Sequence, residues 1–158
     1  MAGFKFKMDF LIKIRQRKEE EALARLAKRL ASIRELEKDI VQLNETKARL
    51  VAELDEKIKA GEITIPLLIM YKDYDHKMIR DITRAEEFLY LSRKEEAKER
   101  AALTKASIDR KIIEKLKEKK KAEFVADQMY LEQNNLEEMA ALAKARRDRQ
   151  EKADRISS

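Results

Sequence analysis

Helix-breaking residues come together at one place in this chain. Gly61 and Pro66 bracket the stretch Ala60-Gly61-Glu62-Ile63-Thr64-Ile65-Pro66, and the second of the two glycines, Gly3, lies near the start. Two Gly and one Pro cannot supply the turns of an all-β fold. Nor can they supply the loops and phosphate-binding glycines of a doubly wound α/β fold. The absence of Cys removes disulfide frameworks and thiolate metal sites. Hydrophobic residues make up 44% of the chain and recur with a helical period, which argues against disorder. What remains is an all-α chain that turns once. A helix over about 4–60, a turn at 61–65 and a helix over about 66–154 are expected, spanning roughly 85 Å and 130 Å at the α-helical rise. Gly61 suits a left-handed C-terminal cap. Pro66 suits the first helical position, and it pushes Ile65 toward an extended conformation.

Charged residues make up 43% of the chain, against about 25% in an ordinary domain. The apolar residues are therefore left as a narrow stripe, the pattern of a coiled-coil seam. On the first helix the stripe reads Leu26, Leu30, Ile33, Leu36, Ile40, Leu43, Leu50, Leu54, Ile58. The successive three-residue steps Leu30–Ile33–Leu36 predict a local overwinding. On the second it reads Tyr71, Tyr74, Met78, Ile82, Ala85, Leu89, then Leu103, Ala106, Ile113 and Leu116, interrupted by Ser92 and Glu96. A short turn makes the helices antiparallel neighbours. The fold class expected is a long two-helix antiparallel coiled-coil hairpin, one elongated domain over 1–158, with a longer, overhanging C-terminal helix. Residue i faces roughly residue 126 − i, which sets Leu43 near Ile82 and Phe4 near Phe124. Beyond about residue 125 the second helix has no partner in its own chain, yet it still carries Val125, Met129, Leu136, Met139 and Ala143 at helical spacing. A lone amphipathic helix gains most of its stability by burying a face on something else, so this arm is expected to bind.

Charge is uneven. Residues 1–34 hold ten basic and four acidic residues, residues 35–109 sum to −3, and residues 110–158 to +3. The end that holds both termini is therefore basic, which attracts acidic surfaces. No catalytic constellation stands out. His76 has no Cys or second His to work with, the carboxylate pairs Glu95/Glu96 and Glu137/Glu138 are adjacent and point to different faces, and no phosphate loop or paired-His spacing exists. A protein without catalytic, cofactor or metal sites is expected. The alternation of Phe, Met, Leu and Ile with Lys and Arg over 4–18 fits either a membrane-surface helix or a seal. We expect Phe4, Phe6, Met8, Phe10, Leu11 and Ile14 to seal the open end of the hairpin against residues 112–124. No run reaches the ~20 apolar residues of a membrane span, and a cytoplasmic protein is expected.

The opening Phe4-x-Phe6, followed by Leu11, Ile12, Ile14, Arg15, Arg17, Glu19, Glu20, Glu21 and Ala22, resembles the start of the FliJ family of flagellar export proteins. Gly61 followed by Tyr71, Tyr74, Met78 and Ile82 is similar to that family's turn region. Glu114 to Lys120 followed by acidic residues is similar to its tail, and Pro66 lies outside the pattern. The resemblance covers essentially the whole chain. It implies a two-helix coiled coil like the central stalk of rotary ATPases, a part of the flagellar type III export apparatus on the inner-membrane side of the basal body. Its implied partners are the hexameric export ATPase FliI, the cytoplasmic part of the export-gate protein FlhA, and substrate chaperones. On this basis Phe4, Phe6, Leu136, Met139, Arg146, Arg147 and Arg149 are assigned to an ATPase-facing end. Leu43, Leu50, Tyr71, Tyr74, Met78 and Ala85 are assigned to a gate-facing surface. Internal packing is the competing role for Leu43, Leu50 and Ala85, whereas Tyr71 and Tyr74 are expected to stay partly exposed near the tip. The alternatives are a virulence-system stalk, a rotary-ATPase stalk subunit or a homodimeric scaffold. A stalk is expected to be monomeric at micromolar concentration outside its complex, and no specific nucleic-acid binding is expected.

Overall fold

The computed structural model describes residues 3–158, so Met1 and Ala2 of the expected domain lie outside the described residues. It is all-α. Helix α1 spans Asp9–Lys59 and helix α2 spans Ile65–Ser157, and together they form the antiparallel helical hairpin that the stripe calls for.

The turn is built as its residues dictate. Gly61 sits at φ +69°, in the left-handed region. Its N–H donates to the Ile58 carbonyl at 3.2 Å, and the Glu62 N–H donates to the Lys57 carbonyl at 3.1 Å. These paired bonds are a Schellman cap, which satisfies carbonyls that the end of α1 would otherwise leave open. Thr64 then caps α2. Its carbonyl accepts from the Leu68 N–H at 2.9 Å and its hydroxyl from the Leu67 N–H at 3.4 Å. Ile65, expected to be extended, is instead the first helical residue and Pro66 the second. The threonine cap moves the helix start back by one residue, and Pro66 still falls in the first turn, where no N–H is required.

The other boundary also moves. Residues 3–8 are not helical and α1 begins at Asp9, not near residue 4. In Phe4-Lys5-Phe6 the chain is irregular, and at Lys7-Met8 it turns into the helix, with the Asp9 N–H donating to the Phe6 carbonyl at 3.2 Å. Phe6 is buried and Phe4 and Met8 are half-buried, while Lys5 and Lys7 are exposed. A helix would have sent Phe4 and Phe6 to different faces. At the C-terminus α2 continues to Ser157, past the expected end at 154.

The described chain divides into two compact units. In the unit Ile14–Asp109, burial follows an unbroken heptad on each helix. On α1 the seam positions are Arg15, Glu19, Ala22, Leu26, Arg29, Ile33, Leu36, Ile40, Leu43, Lys47, Leu50, Leu54 and Lys57, and Leu30, Glu37 and Thr46 beside them are also half-buried. On α2 the seam positions are Tyr71, Asp75, Met78, Ile82, Ala85, Leu89, Ser92, Glu96, Glu99, Leu103 and Ala106, and Leu67, Asp81, Glu95, Ser107 and Asp109 are half-buried off that row. Arg29 and Leu30 are both half-buried between Leu26 and Ile33, so the expected step Leu30–Ile33–Leu36 is covered along with the heptad one. Two expectations change. Tyr74 lies off the seam and Asp75 on it. Ile58, expected on the seam, is half exposed, and Lys57 takes that place with its ammonium 5.5 Å from the centre of the Tyr71 ring. The pairs Arg25–Glu99 at 3.3 Å and Glu37–Arg93 at 2.6 Å fix the antiparallel register close to the expected one. Such exposed pairs contribute about 0–1 kcal/mol each, so they select register more than they stabilise. Stability comes from Ala22, Leu26, Ile33, Tyr71, Met78 and Ile82, the buried apolar residues of this unit.

The second unit joins residues 3–13 to 110–158. The Phe4 and Phe124 rings lie 5.7 Å apart at 47°, as the expected register has it, in the tilted geometry that aromatic pairs favour. Asp9, at the start of α1, accepts from Lys117 Nζ at 2.7 Å. Its charge also suits the positive end of the helix dipole. Ile113 is buried beside half-buried Leu116 and Lys117. The seal is therefore made by Phe4, Phe6, Met8 and Leu11. Phe10 and Ile14, included in the expected seal, are exposed, and Leu11 is half-buried.

Candidate functional site

The surfaces that can do work on this molecule are helix faces. The largest uncovered one belongs to α2 in the second unit. From Met129 to the end every side chain is exposed except half-buried Asn134. Leu136 and Met139 are each 66% exposed, with Met129, Tyr130, Leu131 and Leu142 similarly open. Arg146, Arg147 and Arg149 follow and are exposed. Backbone bonding keeps these residues helical, and the Gln133–Glu137 side-chain bond at 3.1 Å spans one turn of the surface. Nothing among the described residues covers the apolar side chains. Of the residues assigned to the ATPase-facing end, Leu136, Met139 and the three arginines are thus free for contact. Phe4 and Phe6 are engaged in packing at the seal, beside an open groove of about 460 Å³ that Phe4, Phe6, Met8 and Phe124 line together with Lys5, Lys7 and Lys120.

The gate-facing candidates fall in the Ile14–Asp109 unit and separate into two groups. Leu43, Leu50 and Ala85 are half-buried on the seam, and Met78 is buried there. Tyr71 is only 8% exposed on the seam, with the Lys57 ammonium 5.5 Å from the centre of its ring. The expectation that an aromatic near the tip stays open fails at this residue and holds at Tyr74, which is 43% exposed.

Other exposed apolar residues were assigned no surface role from the sequence. Val51, Ile58, Ile65, Ile69 and Ile79 lie around the tip, and Phe88, Tyr90 and Leu91 farther along α2. The available signal was strict heptad counting. Once Asp75 and Lys57 are accepted as seam positions, Ile58 and Ile79 fall outside the seam.

Electrostatics on these faces is local. Lys98 donates to Glu95 at 2.8 Å and holds that carboxyl below its ordinary range. In the Ile14–Asp109 unit Arg15 Nη1 donates to the Asp109 carbonyl at 2.6 Å. Beside it runs a shallow groove of about 340 Å³ over Ala22, Ala102 and Ala106, rimmed by Arg15, Lys18, Arg25 and Lys105. Among the described residues no group of three His, Cys, Asp or Glu is placed to hold a metal ion. No helix of the described residues is long and apolar enough to cross a membrane.

Two antiparallel helices with a thin seam and exposed apolar faces define a coiled-coil protein. The family model for the flagellar FliJ protein matches residues 4–149. The chain belongs to the FliJ family, and so to the proteins of flagellar export, a family of structural and escort proteins. No curated protein and no solved structure matches it.

Proposed function

We propose that this chain is the stalk of the flagellar export apparatus, with its basic end seated in the hexameric export ATPase, FliI, and its tip half reaching the export gate, FlhA. The observation that carries this reading is the uncovered face of α2, where Leu136 and Met139 are followed by Arg146, Arg147 and Arg149. A helix that exposes an apolar row and a basic block in its own chain suits a host with an apolar lining and an acidic rim. The chain performs no bond chemistry in this reading. It couples hydrolysis in the ring to substrate transfer by occupying the ring, and it escorts substrate chaperones on the cytoplasmic side. Tyr74 is the gate-facing candidate with the most accessible side chain, while Tyr71, Met78, Leu43, Leu50 and Ala85 support it from the seam. The match to the flagellar family favours this role over a virulence-system stalk.

The test is stimulation of the purified ATPase. Leu136→Asp with Met139→Asp should reduce both association and stimulation at least tenfold, roughly the loss of two buried apolar anchors. Reversing Arg146, Arg147 and Arg149 to Glu should slow association and flatten its salt dependence. Stimulation that survives both sets of changes would remove the arm from the ATPase contact.

A further inference from the structure

The tip half of the Ile14–Asp109 unit carries an apolar face that the seam does not use. Glu37 and Arg93 meet at 2.6 Å across one side of the helix pair. Positions a whole number of heptads from them lie on that same side. On α1 these are Asn44, Val51 and Ile58, and on α2 they are Glu86, Ile79, Lys72 and Ile65. Moving toward the turn, this side therefore changes from an ion pair to aliphatic residues on both helices at once. Ile69, one turn from Ile65 and Lys72, adds to it. Val51, Ile58, Ile65, Ile69 and Ile79 are between 40% and 77% exposed. The opposite side of α1 is polar over the same length, at Asp39, Thr46 and Glu53.

A two-stranded coiled coil needs apolar residues at two of seven positions. A third apolar position on each helix is the wider stripe of a bundle with more than two helices. The charges within the face indicate which helices complete it. Asp55 lies on α1 next to this row and Lys72 lies in the row on α2. Lys57 over the Tyr71 ring sets residues 55 and 72 at nearly the same level along the pair. When a second copy packs face to face with its turn at the same end, each α1 lies over the other copy's α2. Asp55 then meets Lys72 in both directions, and Val51 and Ile58 meet Ile79 and Ile69. With the turns at opposite ends, Asp55 would meet Asp55 and Lys72 would meet Lys72. A foreign helix has no such reason to match both charges.

We infer that the occupant of this face is a second copy of the chain, packed by a two-fold axis along the helices with the two Gly61 turns together, as a four-helix bundle over the tip. Five side chains per copy make a small interface, so association is weak and concentration-dependent, and the chain is monomeric at low micromolar concentration. The inference does not depend on what the far end of α2 binds.

Sedimentation of the full chain from about 1 µM to about 1 mM should show a growing dimer fraction. Ile58→Lys with Ile79→Lys should lower the association constant at least tenfold while helical circular dichroism is unchanged, since both positions are exposed. Asp55→Lys and Lys72→Asp should each weaken association severalfold, and the two together should restore it. Because the chain has no cysteine, Glu62→Cys labelled with pyrene reads the geometry, with excimer emission rising along with the dimer. A chain that stays monomeric throughout, or dimers indifferent to Ile58→Lys with Ile79→Lys, would overturn the inference. Paired charge reversals that do not restore association, or dimers without excimer, would overturn the turns-together arrangement.

Discussion

Asp75 shows how a heptad can override side-chain chemistry. It sits on the seam between Tyr71 and Met78, and one of its carboxylate oxygens is buried without a hydrogen-bond partner. Leaving such a group unsatisfied costs on the order of 1–3 kcal/mol, less where the rest of the side chain reaches water. Asp75→Leu should therefore raise stability by about 1 kcal/mol, seen as a small rise in the thermal midpoint. A fall would mean that the carboxylate is engaged in something the fold needs. The same residue marks a limit of reading by hydrophobicity. The stripe Tyr71, Tyr74, Met78 chose the tyrosine because it is apolar. Continuity of the 71–75–78–82 spacing, set by the facing helix, chose the aspartate. Arg29 and Lys57 make the same point on α1, where long stems cover the seam and carry their charges out to its edge.

At the level of elements, most of the architecture was legible. Gly61 as a left-handed cap, one turn, two helices and an antiparallel register near 126 − i could all be read from the turn residues and the stripe. The non-helical segment 3–8 was not, although its strict alternation of Phe or Met with Lys was present in the sequence. Phe4 in this segment packs on Phe124, a neighbour far away in the chain. Gly61 offers the sharpest test of an element boundary. A Cβ there would meet nothing within 4 Å, so any loss on substitution comes from the backbone alone. Gly61→Ala should destabilise by about 1 kcal/mol, and Gly61→Asn by less, because Asn tolerates the left-handed region. Chemical denaturation of the three proteins checks the order.

For the molecule as a whole, burial is unequal. Positions such as Leu26, Ile33 and Met78 are covered, whereas the side chains from Met129 onward are almost all exposed. Backbone hydrogen bonds that lack a packed face open readily. Amides of residues 130–157 should exchange with solvent at least about a hundredfold faster than those around Ile33 and Ile82, and should slow when the export ATPase is added. Uniform protection in the free chain would show that the exposed stretch is stable by itself. The exposed apolar faces were the least legible part. Exposure of Leu136 and Met139 followed from counting past the end of α1, but the apolar row at Val51, Ile58 and Ile79 emerged only after the seam itself had been placed.

The Gly61 cap also bears on how the chain is made. Its paired bonds join residues only a few positions apart, so the loop-closure entropy of the first contact is small, and each further pair of turns adds to a junction already formed. Assembly should therefore zip outward from residue 61. On a ribosome the tip would already be closed while Phe4 still waits for Phe124 to be synthesised. Until then, the N-terminal aromatics of the nascent chain are exposed to any holdase in the cell.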